Sequence, residues 1–118
     1  MKVKKFLPAL FIFAGSAQAT TTDFLCTPTN VGQVDSRIHI QCEQASIDGS
    51  NSIIFFAVPT TGTSEAPDIS NRFLAVGMAA LASGKRVRMV YINGDTSGGT
   101  YGCGGTNCRK AIGFFLER

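Results

Sequence analysis

Four cysteines constrain this chain more than any other feature: Cys26, Cys42, Cys103 and Cys108. Whether they act as disulfides or as metal ligands depends on compartment, and the first nineteen residues speak to that. Lys2, Lys4 and Lys5 form a positive start, Phe6 to Ala14 is an apolar run broken only by Pro8, and Ala17-Gln18-Ala19 is a small-x-small cleavage site. This is the three-part pattern of a secretory signal peptide. The apolar run falls far short of the roughly 20 residues a membrane helix needs. No later stretch approaches that length, so no membrane span is expected after cleavage. The lysine-rich start is of bacterial type. Cleavage after Ala19 is expected to deliver 99 residues to the periplasm or the medium. No cysteine follows the site directly, as a lipoprotein anchor would require.

In an oxidising compartment an even number of cysteines in a short chain reads as a disulfide framework, and a core this small gains from it. Four cysteines allow three connectivities. The sequential one, Cys26–Cys42 and Cys103–Cys108, is preferred because both loops are local, and the first loop contributes about 3 kcal/mol in the chain-entropy picture. A zinc site fits poorly, since Cys26 and Cys42 lie sixteen residues apart and form no knuckle. The absence of Cys-x-x-Cys removes the basis for thioredoxin-like chemistry. No metal and no cofactor is expected.

The formal charge of +3 belongs to the three signal lysines. The mature part carries eight basic residues (Arg37, Arg72, Lys85, Arg86, Arg88, Arg109, Lys110 and Arg118) and eight acidic ones. A net charge of zero lacks the basic excess that marks nucleic-acid binding, and no nucleic-acid partner is expected. The distribution is uneven. Residues 20–68 hold six acidic and one basic side chain, and residues 69–118 hold seven basic and two acidic. Such a split either polarises a docking surface or cancels when the halves interleave in the fold, and interleaving is preferred.

Periodicity sets the architecture. Thr20 to Asn30 is polar and reads as a loose arm. Ile38, Ile40 and Cys42 alternate with Arg37, His39 and Gln41, the period-two signature of a half-buried strand within Val31–Cys42. Asp48-Gly49-Ser50-Asn51 is turn chemistry, and Ile53 to Val58 is continuously apolar, as in a strand covered on both faces. After Pro67 the period becomes helical. Asp68 or Ser70 can cap, and Phe73, Leu74, Met78 and Leu81 read as a core stripe. Gly84 is a natural stop. Lys85 to Ile92 returns to strand, with Val87, Met89 and Tyr91 on one side and Arg86 and Arg88 on the other. Asn93 to Asn107 holds six glycines, and Ala111 to Leu116 reads as a final strand.

If Val31–Cys42 bends into two, the order is β-β-β-α-β-β. That is the layout of a small OB-like five-stranded barrel, mostly β within the α+β class, with one helix between strands three and four. A small α+β sandwich is the alternative. Residues 20–118 are expected to form a single domain.

Particular residues carry a resemblance. Val31-Gly32-Gln33-Val34-Asp35, followed by a strand ending at Cys42, is similar to the early strands of subtilase-cytotoxin-type (pertussis-like) toxin B subunits. So is the alanine-rich helix ending in Ser83-Gly84-Lys85, followed by Val87-Arg88-Met89 and a closely spaced cysteine pair. The same order resembles a broad group of small exported bacterial proteins of unknown function. The toxin resemblance implies an OB fold, a ring-shaped homo-oligomer and a glycan ligand. No sugar-contacting residue carries over, because the opening Thr20-Thr21-Thr22-Asp23-Phe24 lacks the aromatic segment of the toxin site and the chain has no Trp.

His39 is the only histidine, and it occupies an outward strand position. No Gly-x-Ser-x-Gly accompanies it, so no catalytic residue is assigned. The glycine-rich stretch lacks the Gly-Lys-Ser/Thr of a phosphate loop. It reads as a hairpin tip stapled by Cys103–Cys108, with Asp95, Thr96, Ser97, Tyr101 and Asn107 as a candidate binding loop. Arg86 and Arg88, extended by Arg109 and Lys110, form a candidate basic face. The expected function is a non-enzymatic exported module recognising a glycan or a protein partner. A small exported hydrolase or enzyme inhibitor and an envelope structural protein are the alternatives. The hydrolase would place His39 beside a serine and a carboxylate.

Overall fold

The computed structural model describes residues 19–118. The expected signal peptide, apart from Ala19, lies outside the described residues. In chain order the elements are β1 (Thr21–Cys26), β2 (Pro28–Val34), β3 (Arg37–Asp48), β4 (Asn51–Pro59), α1 (Ala66–Ser83), β5 (Arg86–Ile92), a 3-10 helix (Ser97–Tyr101), β6 (Cys108–Lys110) and β7 (Gly113–Glu117). The strands make a three-stranded sheet, β1-β5-β7, and a four-stranded sheet, β2-β3-β4-β6. All pairings are antiparallel except β4 with β6.

The α+β class with one helix therefore holds. The five-strand count does not: seven strands are divided between two sheets, four of them precede the helix, and no closed barrel is defined by their pairing. The extra strands arise because the chain turns corners. Only Thr27 separates β1 from β2, and its carbonyl accepts from Glu43 N at 2.8 Å. At the other corner Ala111 N donates to Ala57 O (3.0 Å) in one sheet, and Ile112 N donates to Val90 O (2.9 Å) in the other. The expected final strand, Ala111 to Leu116, thus begins only at Gly113 with the unexpected β6 before it, and Ile112 sits at the bend, 47% exposed.

The polar opening is not a loose arm. β1 pairs along its whole length with β5, from Thr21 opposite Ile92 to Cys26 opposite Val87. Thr21, Asp23 and Leu25 face outward while Phe24 packs on the core and stacks on Phe56 with centroids 5.9 Å apart. Val31–Cys42 does bend into two, as a hairpin of β2 and β3. Val34 pairs with Arg37, and Asp35 takes the left-handed conformation (φ 53°) that so tight a turn demands. The turn at Gly49 lies where the sequence places it, with Asp48 opposite Asn51.

Helix α1 begins earlier than its expected cap. Glu65 is the N-cap and makes no side-chain capping bond, and Pro67 lies within the first turn, where its missing N–H costs nothing. The stop is as expected: Gly84 is left-handed (φ 72°) and its N–H reaches Ala80 O. The buried face is Ala66, Ser70, Phe73, Gly77 and Ala80. Small residues let the helix lie close on the sheet: a Cβ at Gly77 would stand 2.7 Å from Ile40 Cδ1 and 3.0 Å from Val31 Cγ1. Close approach at Gly77 and Ala80 rotates the expected stripe partly outward. Phe73 is buried, but Met78 is 50% and Leu81 41% exposed.

Both disulfides follow the sequential connectivity, Cys26–Cys42 and Cys103–Cys108. All four cysteines are buried. Two disulfides in a chain of this size fit an extracellular or periplasmic protein. Among the described residues no helix is long and apolar enough to cross a membrane.

Candidate functional site

β4 is apolar on both faces because it is covered on both. Phe56 and Val58 enter the main core, while Ala57 and Phe55 pack with Tyr101, Cys103 and Cys108 of the glycine-rich loop. That loop is no hairpin tip, since β5 and β6 belong to different sheets. It folds across the outer face of β3 and β4 and is anchored there. Asn107 O accepts from Ile54 N (3.1 Å) and Phe55 N (3.0 Å), and Arg37 Nη1 donates to Tyr101 O at 3.2 Å. Gly102 (φ 93°) lies against the Arg37 guanidinium so closely that any side chain there would overlap it.

Where the loop meets the strands it leaves a pocket of about 220 Å³ lined by Arg37, His39, Phe55, Gly102, Gly104, Asn107 and Cys108. Strand alternation puts Arg37 and His39 on this face, with Ile38 and Ile40 in the core. The imidazole of His39 lies 5.8 Å from the Phe55 ring, tilted at 53°. Partial burial, and then the positive charge of Arg37, hold His39 below its ordinary value of 6.5. The lining includes no serine and no carboxylate. Among the described residues no carboxylate forms an ion pair with Arg37. A second, more apolar hollow of about 310 Å³ lies between the start of α1 and the β6–β7 corner, lined by Ile69, Ile112 and Phe114 among others.

Of the five residues proposed as a binding loop, only Asn107 lines the first pocket. Tyr101 contributes its carbonyl, while its Oη is buried without a hydrogen-bond partner and burial pushes the phenol up to about 12. Asp95 accepts from Ser97 N at 2.9 Å, which starts the 3-10 helix and holds the Asp95 carboxyl below its ordinary range. Thr96 and Ser97 are exposed beside it. These are turn-forming roles.

Two of the four cations of the candidate basic face, Arg88 and Arg109, are paired with carboxylates. Arg88 is bridged by Asp23 and Glu117, both at 2.9 Å, and lies over the Phe115 ring at 4.3 Å. Arg109 is 1% exposed and donates to Asp48 at 2.6 Å, so it is no surface cation. Arg86 is exposed, and no ion pair joins it among the described residues. The two pairs Asp23–Arg88 and Asp48–Arg109 each join the acidic half of the sequence to the basic half, so the halves interleave in the fold.

Arg37 was missed as a site residue because nothing local distinguishes it. Its partner wall comes from residues more than sixty positions away. One signal was available: it is the single cation in the acidic half, on the same strand face as the only histidine. No family model matches the chain, and no curated protein matches it in sequence.

Proposed function

We propose that this protein is an exported, non-enzymatic binding module that recognises a glycan or protein partner at the Arg37–His39 pocket. The observation that carries the reading is the position of that pocket. In OB-like barrels, ligands are held on the face of the second and third strands and by the loops beside it. The connectivity supports an OB-like reading. If β1 with β2, and β6 with β7, each count as one bent strand, the neighbours run 1-2-3-5-4-1, with the third and fifth parallel. The pocket then lies on the second and third strands, walled by the loop between the fourth and fifth.

A ring of identical subunits is proposed with it, on the resemblance to the toxin B subunits. The hydrolase alternative requires a nucleophile and a carboxylate around His39, and the pocket lining offers neither. The test is a glycan array probed with the exported, disulfide-bonded protein, together with light scattering. Hits that compete for the pocket and a closed oligomer are the expected results. A strict monomer with no hits would remove the toxin-like form of the reading.

A further inference from the structure

Three arginines are held on the sheets by their surroundings, and they differ in one respect. Arg88 is bridged by two carboxylates and Arg109 by one. Arg37 is half-buried, gives one hydrogen bond to the Tyr101 carbonyl, and is accompanied in its pocket by no anion. A guanidinium presents five N–H donors in a planar fork suited to two oxygens of one anion. The rest of the lining is complementary. Asn107 offers an amide, Phe55 a ring wall, and His39 a titratable imidazole on the same strand face as Arg37.

We propose that this pocket is a proton-linked oxyanion site, in which Arg37 seats a carboxylate, sulfate or phosphate group and His39 strengthens the seat by taking up a proton. The inference rests on the binding-module reading and names the chemistry of its ligand. The volume of about 220 Å³ suits one small group rather than an extended ligand. The proton linkage follows from what surrounds His39. On its own strand the nearest charge is Arg37. Across β2 its partner is Gly32, and across β4 it is Ala57, with Phe55 beside it. The loop contributes Gly102, Gly104, Asn107 and the disulfide-bonded Cys108. The only charge facing the imidazole is positive and disfavours its protonation. An oxyanion on Arg37 neutralises that charge and offers the imidazolium an acceptor, so anion and proton bind together.

Because His39 is the only histidine, its ring signals in NMR report the site without ambiguity. The exported, disulfide-bonded protein is titrated with sodium acetate, sodium sulfate and sodium phosphate against chloride at matched ionic strength, across about pH 5 to 8. The expected result is a saturable shift of the His39 signals, with the midpoint of its titration raised by about one unit and affinity about tenfold tighter in acid than in base. The three salts separate carboxylate from sulfate and phosphate recognition. Arg37→Gln should abolish the response, and Arg37→Lys should retain a weaker one. Should Arg37→Gln fail to fold, His39→Gln serves instead, followed by backbone amide shifts of Asn107. That variant should bind with an affinity that no longer rises in acid.

A response no larger than that of chloride for all three salts would overturn the proposal, as would an equal response in folded Arg37→Gln. The two readings fail separately. Neutral glycan hits on the array with no oxyanion response would leave the binding module standing and remove this inference. An oxyanion response with an empty array would do the reverse to the glycan reading.

Discussion

Arg109 Nε donates to Asp48 Oδ2 at 2.6 Å across a separation of 61 residues, and both side chains are almost wholly buried. The pair ties the end of β3 to β6. Asp48 also accepts from Gly94 N at 2.8 Å, and Arg109 Nη1 donates to Gly105 O at 2.6 Å. Both ends of the loop that walls the pocket are therefore held by one ion pair. Removing one partner of a buried pair strands the other. Arg109→Met should lose about 3–5 kcal/mol of stability in urea unfolding, and the double variant Asp48→Leu with Arg109→Met should lose less.

Asp48 also sets an acid limit. Burial alone would raise its carboxyl, but the Gly94 amide and the Arg109 guanidinium outweigh burial and hold it below the ordinary 3.8. Its contribution is present above that value and is lost as pH falls through the lower folded one. Urea midpoints measured downward from about pH 5 should show the loss, and Asp48→Asn should lack it.

The close seat of α1 on the sheet leads to an opposite sign from helix propensity. Alanine in place of a helical glycine gains up to about 1 kcal/mol from the backbone. At Gly77 the added methyl would crowd both Cδ1 and Cγ1 of Ile40, a fully buried side chain, and Cγ1 of Val31. Overpacking of this kind costs about 1–3 kcal/mol. Gly77→Ala should therefore lower the thermal midpoint, whereas an exposed substitution such as Ala75→Gly should show only the propensity effect.

His39 makes the folded state a weaker base than the unfolded chain, because burial and Arg37 hold it below 6.5. Above that value both states are neutral there. As pH falls below it the unfolded chain takes the proton first, so stability declines until the folded imidazole is also protonated. His39→Gln should flatten this slope in chemical denaturation. Saturating sulfate should flatten it as well if the oxyanion site is as proposed.

The Tyr101 hydroxyl is buried and unpartnered. Removing an unsatisfied polar atom of this kind is neutral or favourable. Tyr101→Phe should keep or raise stability by about 1 kcal/mol, and it should remove from the alkaline difference spectrum of the parent a phenol ionisation raised above the ordinary range.

What could be read from the sequence was what depends on neighbours in the chain. The alternation around Ile38 and Ile40, the turn at Gly49, the stop at Gly84 and the two short disulfide loops all follow from local chemistry, and all are present. What could not be read depends on distant partners. Phe24 lies in a polar stretch whose strand character comes only from pairing with β5. Arg109 looks like a surface cation until Asp48 is brought to it. Met78 and Leu81 match a core stripe, yet the small residues beside them let the helix settle on another face. The pocket itself joins β3 to a loop that begins far downstream, so its chemistry was visible only as the unexplained conjunction of Arg37 and the single histidine.

The parallel pairing of β4 with β6 carries a consequence for how such a chain matures. β1 waits for β5, the four-stranded sheet waits for β6 and the three-stranded sheet waits for β7, so both sheets close only with the carboxy-terminal strands. The β2–β3–β4 meander needs nothing downstream, and the Cys26–Cys42 bond lies within reach of it. Cys26–Cys42 therefore joins segments that precede the helix, whereas Cys103–Cys108 staples a loop that lies against a strand made long before it.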